Sequence, residues 1–180
     1  MLFRSNTFLL AKGISIGASL AEPDMLSTAS GIMATAAAHK CRILLPNDVV
    51  VATVFEANAP HRVSDGGDIA ADEMILDAGP QSVAAANAFL AECRTVVWNG
   101  PMGAFELTPF DAATNAVAHE VARLTQNRQI MSVAGGGDTM AALANAEVND
   151  HFSYVSTAGG AFLEWLEGKT LPGVDALQQR

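Results

Sequence analysis

The segment Ser132-Val133-Ala134-Gly135-Gly136-Gly137-Asp138-Thr139 decides the fold that we expect for this chain. The apolar run from Ile130 to Ala134 predicts a buried strand, and the alanine-rich stretch that follows Thr139 predicts a helix. Three glycines between a strand and a helix leave backbone N–H groups free at the positive end of the helix dipole, where anionic oxygens bind well. Two interpretations are open at this point: a phosphate-binding turn, and a tight turn without a ligand.

The composition of the chain favours a single α/β domain. Its 180 residues suffice for one substantial core, 50% of them are hydrophobic, and the many small residues suit helices that pack closely on a parallel sheet. The formal net charge of −9 and the scattered lysines and arginines argue against binding to nucleic acids or to an anionic membrane surface.

The cysteines and the hydropathy pattern favour a cytoplasmic protein. Cys41 and Cys93 stand alone, without a CxxC motif or histidines at metal-ligand spacing, which is typical of a protein with reduced thiols. Lys12 interrupts the first apolar residues too early for the core of a signal peptide. No run of residues approaches the ~18 apolar residues that a membrane-spanning helix needs.

Periodic patterns predict that strands and helices alternate along the chain. Because such elements joined by short loops form right-handed crossovers, we expect a parallel sheet with helices on both faces. Falling apolar density and clustered aspartates and glycines predict a surface loop over residues 56–79. The predicted helices are 25–39, 82–93, 109–124, 139–147 and 161–167, and the predicted strands are 42–45, 49–52, 94–98, 130–134 and 152–155.

Three glycine-bearing turns follow predicted strands, namely residues 99–103, Gly135 to Gly137, and Gly159 with Gly160. In parallel sheets, ligands bind beyond the carboxyl ends of the strands. We therefore expect the three turns to lie along one edge of the sheet, which favours a ligand site over an empty turn.

The polar residues near these turns have alternative roles. Asp138 suits either a helix cap or a ligand of Mg²⁺, and the Thr139 hydroxyl suits either a phosphate or the helix end. Glu106 suits ribose hydroxyls or simple exposure to solvent. None of the three turns contains a lysine or an arginine, although phosphoryl transfer usually needs cationic groups beside the metal.

The chain resembles the phosphoglycerate kinase family. The resemblance rests on Val97–Glu106, on Gly135–Thr139 and on the two neighbouring motifs Ser156-Thr157-Ala158-Gly159-Gly160-Ala161 and Leu163-Glu164-x-Leu166-Glu167-Gly168-Lys169-x-Leu171-Pro172-Gly173-Val174. Asn6-Thr7-Phe8, Leu45-Pro46-x-Asp48-Val49-Val50-Val51-Ala52 and Asp77-x-Gly79-Pro80 follow the family in the same order. The similarity therefore covers essentially the whole chain from about Asn6.

Members of this family have two Rossmann-like lobes, and this chain is similar to most of the carboxy-terminal, nucleotide-binding lobe. The resemblance implies a Rossmann-like three-layer α/β/α domain over residues 1–180, with a mainly parallel sheet that is incomplete at its amino-terminal edge. It also implies that residues 171–180 form a loose tail, because the corresponding segment packs on the other lobe.

The resemblance further implies which residues bind Mg-ADP and Mg-ATP. It implies nucleotide contacts from Asn99 and Pro101, a ribose contact from Glu106, and Mg²⁺ coordination by Asp138. Phosphate contacts are implied for Gly136, Gly137 and Thr139, and Gly135 belongs to the same cofactor-binding set. Gly159 and Gly160 would face the phosphoryl group during its transfer.

The chain departs from the family at several places. The amino-terminal lobe, whose basic patch binds 3-phosphoglycerate, has no counterpart, and neither has the first βαβ portion of the nucleotide lobe with its phosphate-binding lysine. The glycine-rich run before Asn6 reads Leu2-Phe3-Arg4-Ser5, Ala113 stands where Gly-Thr is usual, and Ala158 replaces a glycine. We expect 3-phosphoglycerate to bind only when the missing lobe is supplied.

Three hypotheses follow for the function. The first is a phosphotransferase that moves a phosphoryl group between 1,3-bisphosphoglycerate and ADP in glycolysis. The second is a nucleotide-binding module that catalyses no reaction. The third is a fragment that self-associates, in contrast to the usually monomeric full-length family, with the helix over residues 82–93 as one candidate face.

Overall fold

Strands and helices alternate along much of the chain in the computed structural model, which describes residues 3–156, 161, 164 and 168–178. The α/β class is therefore confirmed. The helices are α1 (Phe3–Ala11), α2 (Leu26–Ala38), α3 (Pro80–Leu90), α4 (Ala112–Gln126), α5 (Gly137–Asn145) and α6 (Pro172–Gln178). The strands are β1 (Val49–Ala52), β2 (His61–Ser64), β3 (Met74–Ala78), β4 (Thr95–Trp98), β5 (Met131–Gly135) and β6 (Tyr154–Ser156).

The chain divides into two compact units. The first unit comprises Met1–Phe89 and Pro101–Val117, and the second comprises Leu90–Gly100 and Ala118–Arg180. The sequence predicts one domain over residues 1–180, and that domain assignment stays a prediction.

The second unit contains the parallel sheet that the alternating pattern predicts. Its strand order is β4-β5-β6, with Trp98 opposite Ala134 and Gly135 opposite Ser156. One face of the sheet and its helices bury a core of small and branched side chains, among them those of Val121, Leu124, Ala134, Ala142 and Leu143. All three strands therefore end at the same edge of the sheet, which we call the carboxyl edge.

The first unit contains a sheet that the alternating pattern does not predict. Its order is β2-β1-β3, and both pairs are antiparallel. Strands β2 and β3 lie within residues 56–79, so the prediction of one surface loop there is wrong. Residues 56–60 and 65–73, which flank β2, have the predicted loop character. The strand signal is weak because β2 carries exposed polar side chains and β3 carries a buried acid, Asp77.

The segment before β1 also differs from the prediction. Residues 42–45 are irregular, and Ile43 and Leu44 are 37% and 49% exposed. Apolar β-formers become a strand only when a neighbouring strand pairs with them. In the part of the chain that the structure describes, no strand runs beside these residues.

A buried carboxylate caps α3. Asp48 accepts hydrogen bonds from the N–H groups of Gln81 and Ser82 at 3.0 and 2.7 Å, and from the Ser82 hydroxyl at 2.7 Å. Burial opposes the charge on Asp48, but these hydrogen bonds outweigh it and keep its pKa below the usual value. A side chain 34 residues away in sequence thus satisfies the first N–H groups of the helix.

The carboxy-terminal segment forms α6, in which Leu177 is 73% exposed. The loose tail over residues 171–180 stays a prediction, and the predicted helix 161–167 falls almost entirely outside the described residues. Among the described helices, none combines the length and the hydropathy required to cross a lipid bilayer.

Candidate functional site

Two of the three predicted glycine turns meet at the carboxyl edge of the second unit. The turn after β4 and the turn after β5 are joined by a hydrogen bond in which the Gly100 N–H donates to Thr139 Oγ1 at 2.7 Å. Thr139 lies in the first turn of α5 and is only 1% exposed. Its hydroxyl oxygen therefore links the two turns, while its proton remains available to a further acceptor.

Gly136 lies between the turn after β4 and the first turn of α5. Its φ of +101° is accessible to glycine and strained for other residues, and it occupies the N-cap position of α5. A Cβ at this position would lie 3.5 Å from Thr139 Oγ1 and 3.6 Å from Asn99 Oδ1. Asn99, Gly136 and Thr139 thus surround one small volume that is kept free of side-chain atoms.

The start of α5 leaves backbone N–H groups without a partner in the helix. The first hydrogen bond of the helix type runs from the Met140 N–H to the Gly136 carbonyl at 3.0 Å. The N–H groups of Gly137, Asp138 and Thr139 precede it and have no acceptor within the helix. Gly137 and Asp138 are exposed, so their N–H groups and the positive end of the helix dipole lie at the solvent side of the carboxyl edge.

Asp138 is an exposed acid in the first turn of α5. Its side chain is exposed, and no hydrogen bond or ion pair joins it to the rest of the described chain. An exposed carboxylate beside the N–H groups at a helix start has the chemistry of a Mg²⁺ ligand, because proteins hold this ion through one or two carboxylates together with phosphate oxygens. Across the described ranges, no group of three or more His, Cys, Asp or Glu side chains forms a metal site.

Trp98 fixes the turn after β4. Its indole N–H donates to the Gly100 carbonyl at 2.7 Å, and its ring packs near the Phe152 ring with a centroid distance of 6.2 Å. Trp98 is 8% exposed, so the residue immediately before Asn99 is anchored in the core. Its fluorescence should therefore report on changes at this turn.

In the first unit, the segment from Pro101 to Glu106 is held by its backbone. The N–H groups of Met102 and Gly103 both donate to Thr114 Oγ1, at 3.0 and 3.3 Å. The Ala104 N–H donates to the Leu76 carbonyl at 2.8 Å. The Glu106 carboxylate is exposed and has no described partner, whereas Pro101 is half-buried and lines a cavity of about 570 Å³ within this unit.

Asp77 is a buried carboxylate that sequence reasoning missed as a candidate functional residue. It is fully buried, and its two oxygens accept the Ala113 N–H at 2.8 Å and the Ala78 N–H at 2.9 Å. Burial is the main reason why the pKa of Asp77 rises to about 7, and the negative charge of Asp111 adds to the shift. The only signal in the sequence is an acid within the apolar run of β3.

Asp77 also corrects the predicted start of α4. The sequence predicts a helix from Pro109, but α4 begins at Ala112. The cap comes from Asp77, which bonds to the first turn through Ala113. A capping side chain that is 36 residues away cannot be identified from a local capping motif.

The third predicted turn lies outside the described residues. Strand β6 ends at Ser156, opposite Gly135, and is followed by the undescribed residues 157–160. The assignments of Gly159 and Gly160 to the phosphoryl group therefore stay predictions, as does the effect of Ala158.

Comparison with known proteins identifies the family. A family model described as phosphoglycerate kinase matches residues 4–169. The chain belongs to the phosphoglycerate kinase family. Family membership confirms the resemblance in sequence, and the matched range contains every predicted site residue.

Individual phosphoglycerate kinases agree with this assignment. The chain is 61% identical over 175 residues to the phosphoglycerate kinase of Azorhizobium caulinodans, covering 97% of this chain and 44% of the relative. The structure of phosphoglycerate kinase from Coxiella burnetii matches with a TM-score of 0.91 and 44% identity, over 98% of this chain and 44% of that one. The enzyme from Pyrococcus horikoshii matches with a TM-score of 0.76 and 26% identity, over 97% of this chain and 43% of that one. The chain thus spans less than half the length of the phosphoglycerate kinases that it matches.

Proposed function

We propose that this chain is a nucleotide-binding lobe of the phosphoglycerate kinase type, which binds Mg-ADP and Mg-ATP. The observation that carries the proposal is the hydrogen bond from Gly100 to Thr139, because it joins two glycine turns at the carboxyl edge beside the free N–H groups of α5. The volume next to Gly136, which a Cβ would fill, and the set of N–H donors fit phosphate oxygens.

Each residue of the proposed site has a distinct task. Gly136, Gly137 and Thr139 would bind phosphates, with Gly135 beside them in the cofactor site, and Asp138 would hold Mg²⁺, which neutralises phosphate charge when bound. Asn99 and Pro101 would contact the nucleotide and Glu106 the ribose hydroxyls. Gly159 and Gly160 would face the phosphoryl group. The chain's own contribution is to bind and orient the nucleotide.

The proposed reaction is phosphoryl transfer between 1,3-bisphosphoglycerate and ADP in glycolysis, in the cytoplasm. Cys41 and Cys93 are not joined by a disulfide, which is compatible with that compartment. The relatives are more than twice as long as this chain, and the resemblance assigns 3-phosphoglycerate to the other lobe. We therefore expect turnover only when that lobe is supplied, and nucleotide binding by this chain alone.

Calorimetric titration of the chain with Mg-ADP tests the proposal. Wild-type protein is expected to bind Mg-ADP with saturation, and Asp138→Ala should weaken Mg-ADP binding about tenfold or more because a metal ligand is lost. ADP in the presence of EDTA should bind equally to both proteins. Asp150→Ala, which removes another exposed acid of the second unit, is the matched control and should leave the affinity for Mg-ADP unchanged.

Either half of the proposal can fail on its own. Wild-type protein that shows no saturable binding of Mg-ADP would overturn nucleotide binding. Equal affinities of wild type and Asp138→Ala for Mg-ADP would overturn only the assignment of the metal to Asp138.

Self-association is a second candidate function, favoured by an exposed apolar face of the parallel sheet. Val97, Met131 and Tyr154 lie on the same face because of the strand register, and they are 47%, 59% and 57% exposed. Helix α3 exposes less apolar surface than this sheet face, since its Ser82 is buried and most of its other residues are half-buried. The exposed sheet face therefore replaces α3 as the surface through which a second copy would pack.

Light scattering at a series of protein concentrations checks self-association. The wild-type mass is expected to rise with concentration, and Met131→Lys should return it to that of a monomer by placing a charge on the apolar face. Leu20→Lys, which changes an exposed apolar residue of the first unit, is the control. A wild-type mass that stays monomeric at every concentration contradicts this candidate.

A further inference from the structure

The segment from Pro101 to Glu106 obtains its shape from a few buried contacts of the first unit. Two consecutive N–H groups, those of Met102 and Gly103, share one acceptor, Thr114 Oγ1. Thr114 is fully buried in the first turn of α4. A hydroxyl that accepts two backbone donors fixes the orientation of both peptide planes.

The next residue along the segment is held from another direction. The Ala104 N–H donates to the carbonyl of Leu76, which is the residue before Asp77 on β3. Gly103 packs so tightly that a Cβ would overlap the Asp77 carboxylate and the Phe110 carbonyl oxygen. Asp77 in turn holds the start of α4 through the Ala113 N–H, next to Thr114. Strand β3, the segment and α4 are thus joined by buried polar contacts.

We infer that Thr114 and Asp77 are positioning residues that set the conformation of the Pro101–Glu106 segment for nucleotide binding. Thr114 acts directly on the backbone of the segment, and Asp77 acts by holding the helix turn that carries Thr114. The inference rests on the proposed function, since Pro101 and Glu106 are the nucleotide contacts proposed in this unit. Neither Thr114 nor Asp77 contacts the nucleotide in this proposal.

A purely structural role would have a different consequence. If these residues only cap α4, their loss lowers the stability of the chain and leaves the nucleotide affinity of the folded protein unchanged. If they position the segment, the affinity falls even under conditions where the protein is fully folded, because the segment must be ordered again on binding.

The experiment compares Thr114→Val with Thr114→Ser. Valine has nearly the same shape as threonine and lacks the acceptor, whereas serine keeps the hydroxyl. Titration with Mg-ADP is expected to show an affinity about tenfold weaker for Thr114→Val and close to wild type for Thr114→Ser. Asp77→Asn, which replaces one acceptor oxygen by an amide, should weaken the affinity in the same direction.

Asp48→Asn supplies a matched control. It alters a buried carboxylate that caps α3 in the same unit, and so lowers stability without touching the segment. Its affinity for Mg-ADP should equal that of the wild type. Backbone hydrogen exchange gives a readout that needs no nucleotide: the Met102 and Gly103 amides should exchange faster in Thr114→Val and at the wild-type rate in Asp48→Asn.

The outcomes separate this inference from the proposed function. Wild-type binding that Thr114→Val leaves unchanged overturns the inference and keeps the proposed function. Wild-type protein that binds no Mg-ADP overturns the proposed function and the nucleotide part of the inference. Exchange rates at Met102 and Gly103 that do not change in Thr114→Val overturn the positioning role regardless of binding.

Discussion

Lowering the pH from about 8 to about 5 is expected to stabilise the chain through Asp77, and Asp77→Asn should lack this contribution. The pKa of this buried carboxyl is raised from 3.8 to about 7, chiefly by burial. Between these two values the folded chain binds a proton that the unfolded chain does not bind. Stability from this group is therefore complete below pH 4 and is lost as the pH rises through 7.

The size of the effect follows from the shift. At 1.36 kcal/mol per pKa unit, the full contribution is about 4 kcal/mol, of which roughly 3 kcal/mol is present at pH 5. The two N–H donors to Asp77 favour its charged form, but neither is a cation, and burial dominates. Because asparagine does not titrate, the unfolding free energy of Asp77→Asn should not depend on pH through this position.

Urea unfolding of both proteins between pH 5 and 8 measures this contribution. The difference in unfolding free energy between wild type and Asp77→Asn should fall by roughly 3 kcal/mol across the window, because the contributions of all other groups cancel. Asp48→Asn is the control, since the lowered pKa of Asp48 places its titration below the window. Parallel stability profiles for wild type and Asp77→Asn would contradict a pKa of Asp77 that burial raises to about 7.

Local sequence was sufficient to predict the carboxyl edge of the second unit. The run before Gly135 and the glycines after it specify a strand, a turn and a helix within one short segment, and the structure has β5 and α5 there. The register between β4 and β5 then brings Asn99 and Gly136 together. Residues that are close in sequence, combined with a parallel sheet, were enough to predict that these two turns meet.

The first unit shows why other features could not be predicted. Strands β2 and β3 exist because each pairs with β1, and this partnership outweighs their polar composition. Asp77 and Thr114 are recognised only from what surrounds them: Asp77 contacts a helix turn 36 residues away, and Thr114 contacts a backbone segment 11 and 12 residues away. A sequence pattern records a residue's type but not its distant partners.

Gly103→Ala is expected to destabilise the chain by about 2–6 kcal/mol. A Cβ at this position would overlap the Asp77 carboxylate and the Phe110 carbonyl oxygen, and the latter belongs to the backbone and cannot rotate away. Overpacking typically costs about 1–3 kcal/mol, and displacing Asp77 from its N–H donors adds about 1–3 kcal/mol. Urea unfolding monitored by circular dichroism measures the loss.

Gly31→Ala is the matched control for this prediction. Gly31 lies in α2 of the same unit, and a Cβ there would have no atom within 4 Å. Because alanine favours the helix over glycine, this variant should gain about 0.5–1 kcal/mol. The same Gly→Ala substitution should thus lower the free energy of unfolding at Gly103 and raise it at Gly31.

A double-mutant cycle with Asp77→Ala shows which of the two groups the new Cβ overlaps. When Asp77 is first replaced by alanine, the carboxylate that a new Cβ would strike is gone, so Gly103→Ala should cost less than it does in the wild type. The cost that persists in this background measures the overlap with the Phe110 carbonyl. Equal costs in both backgrounds would mean that the carboxylate does not limit the space at Gly103, and that the segment is packed against β3 by its backbone alone.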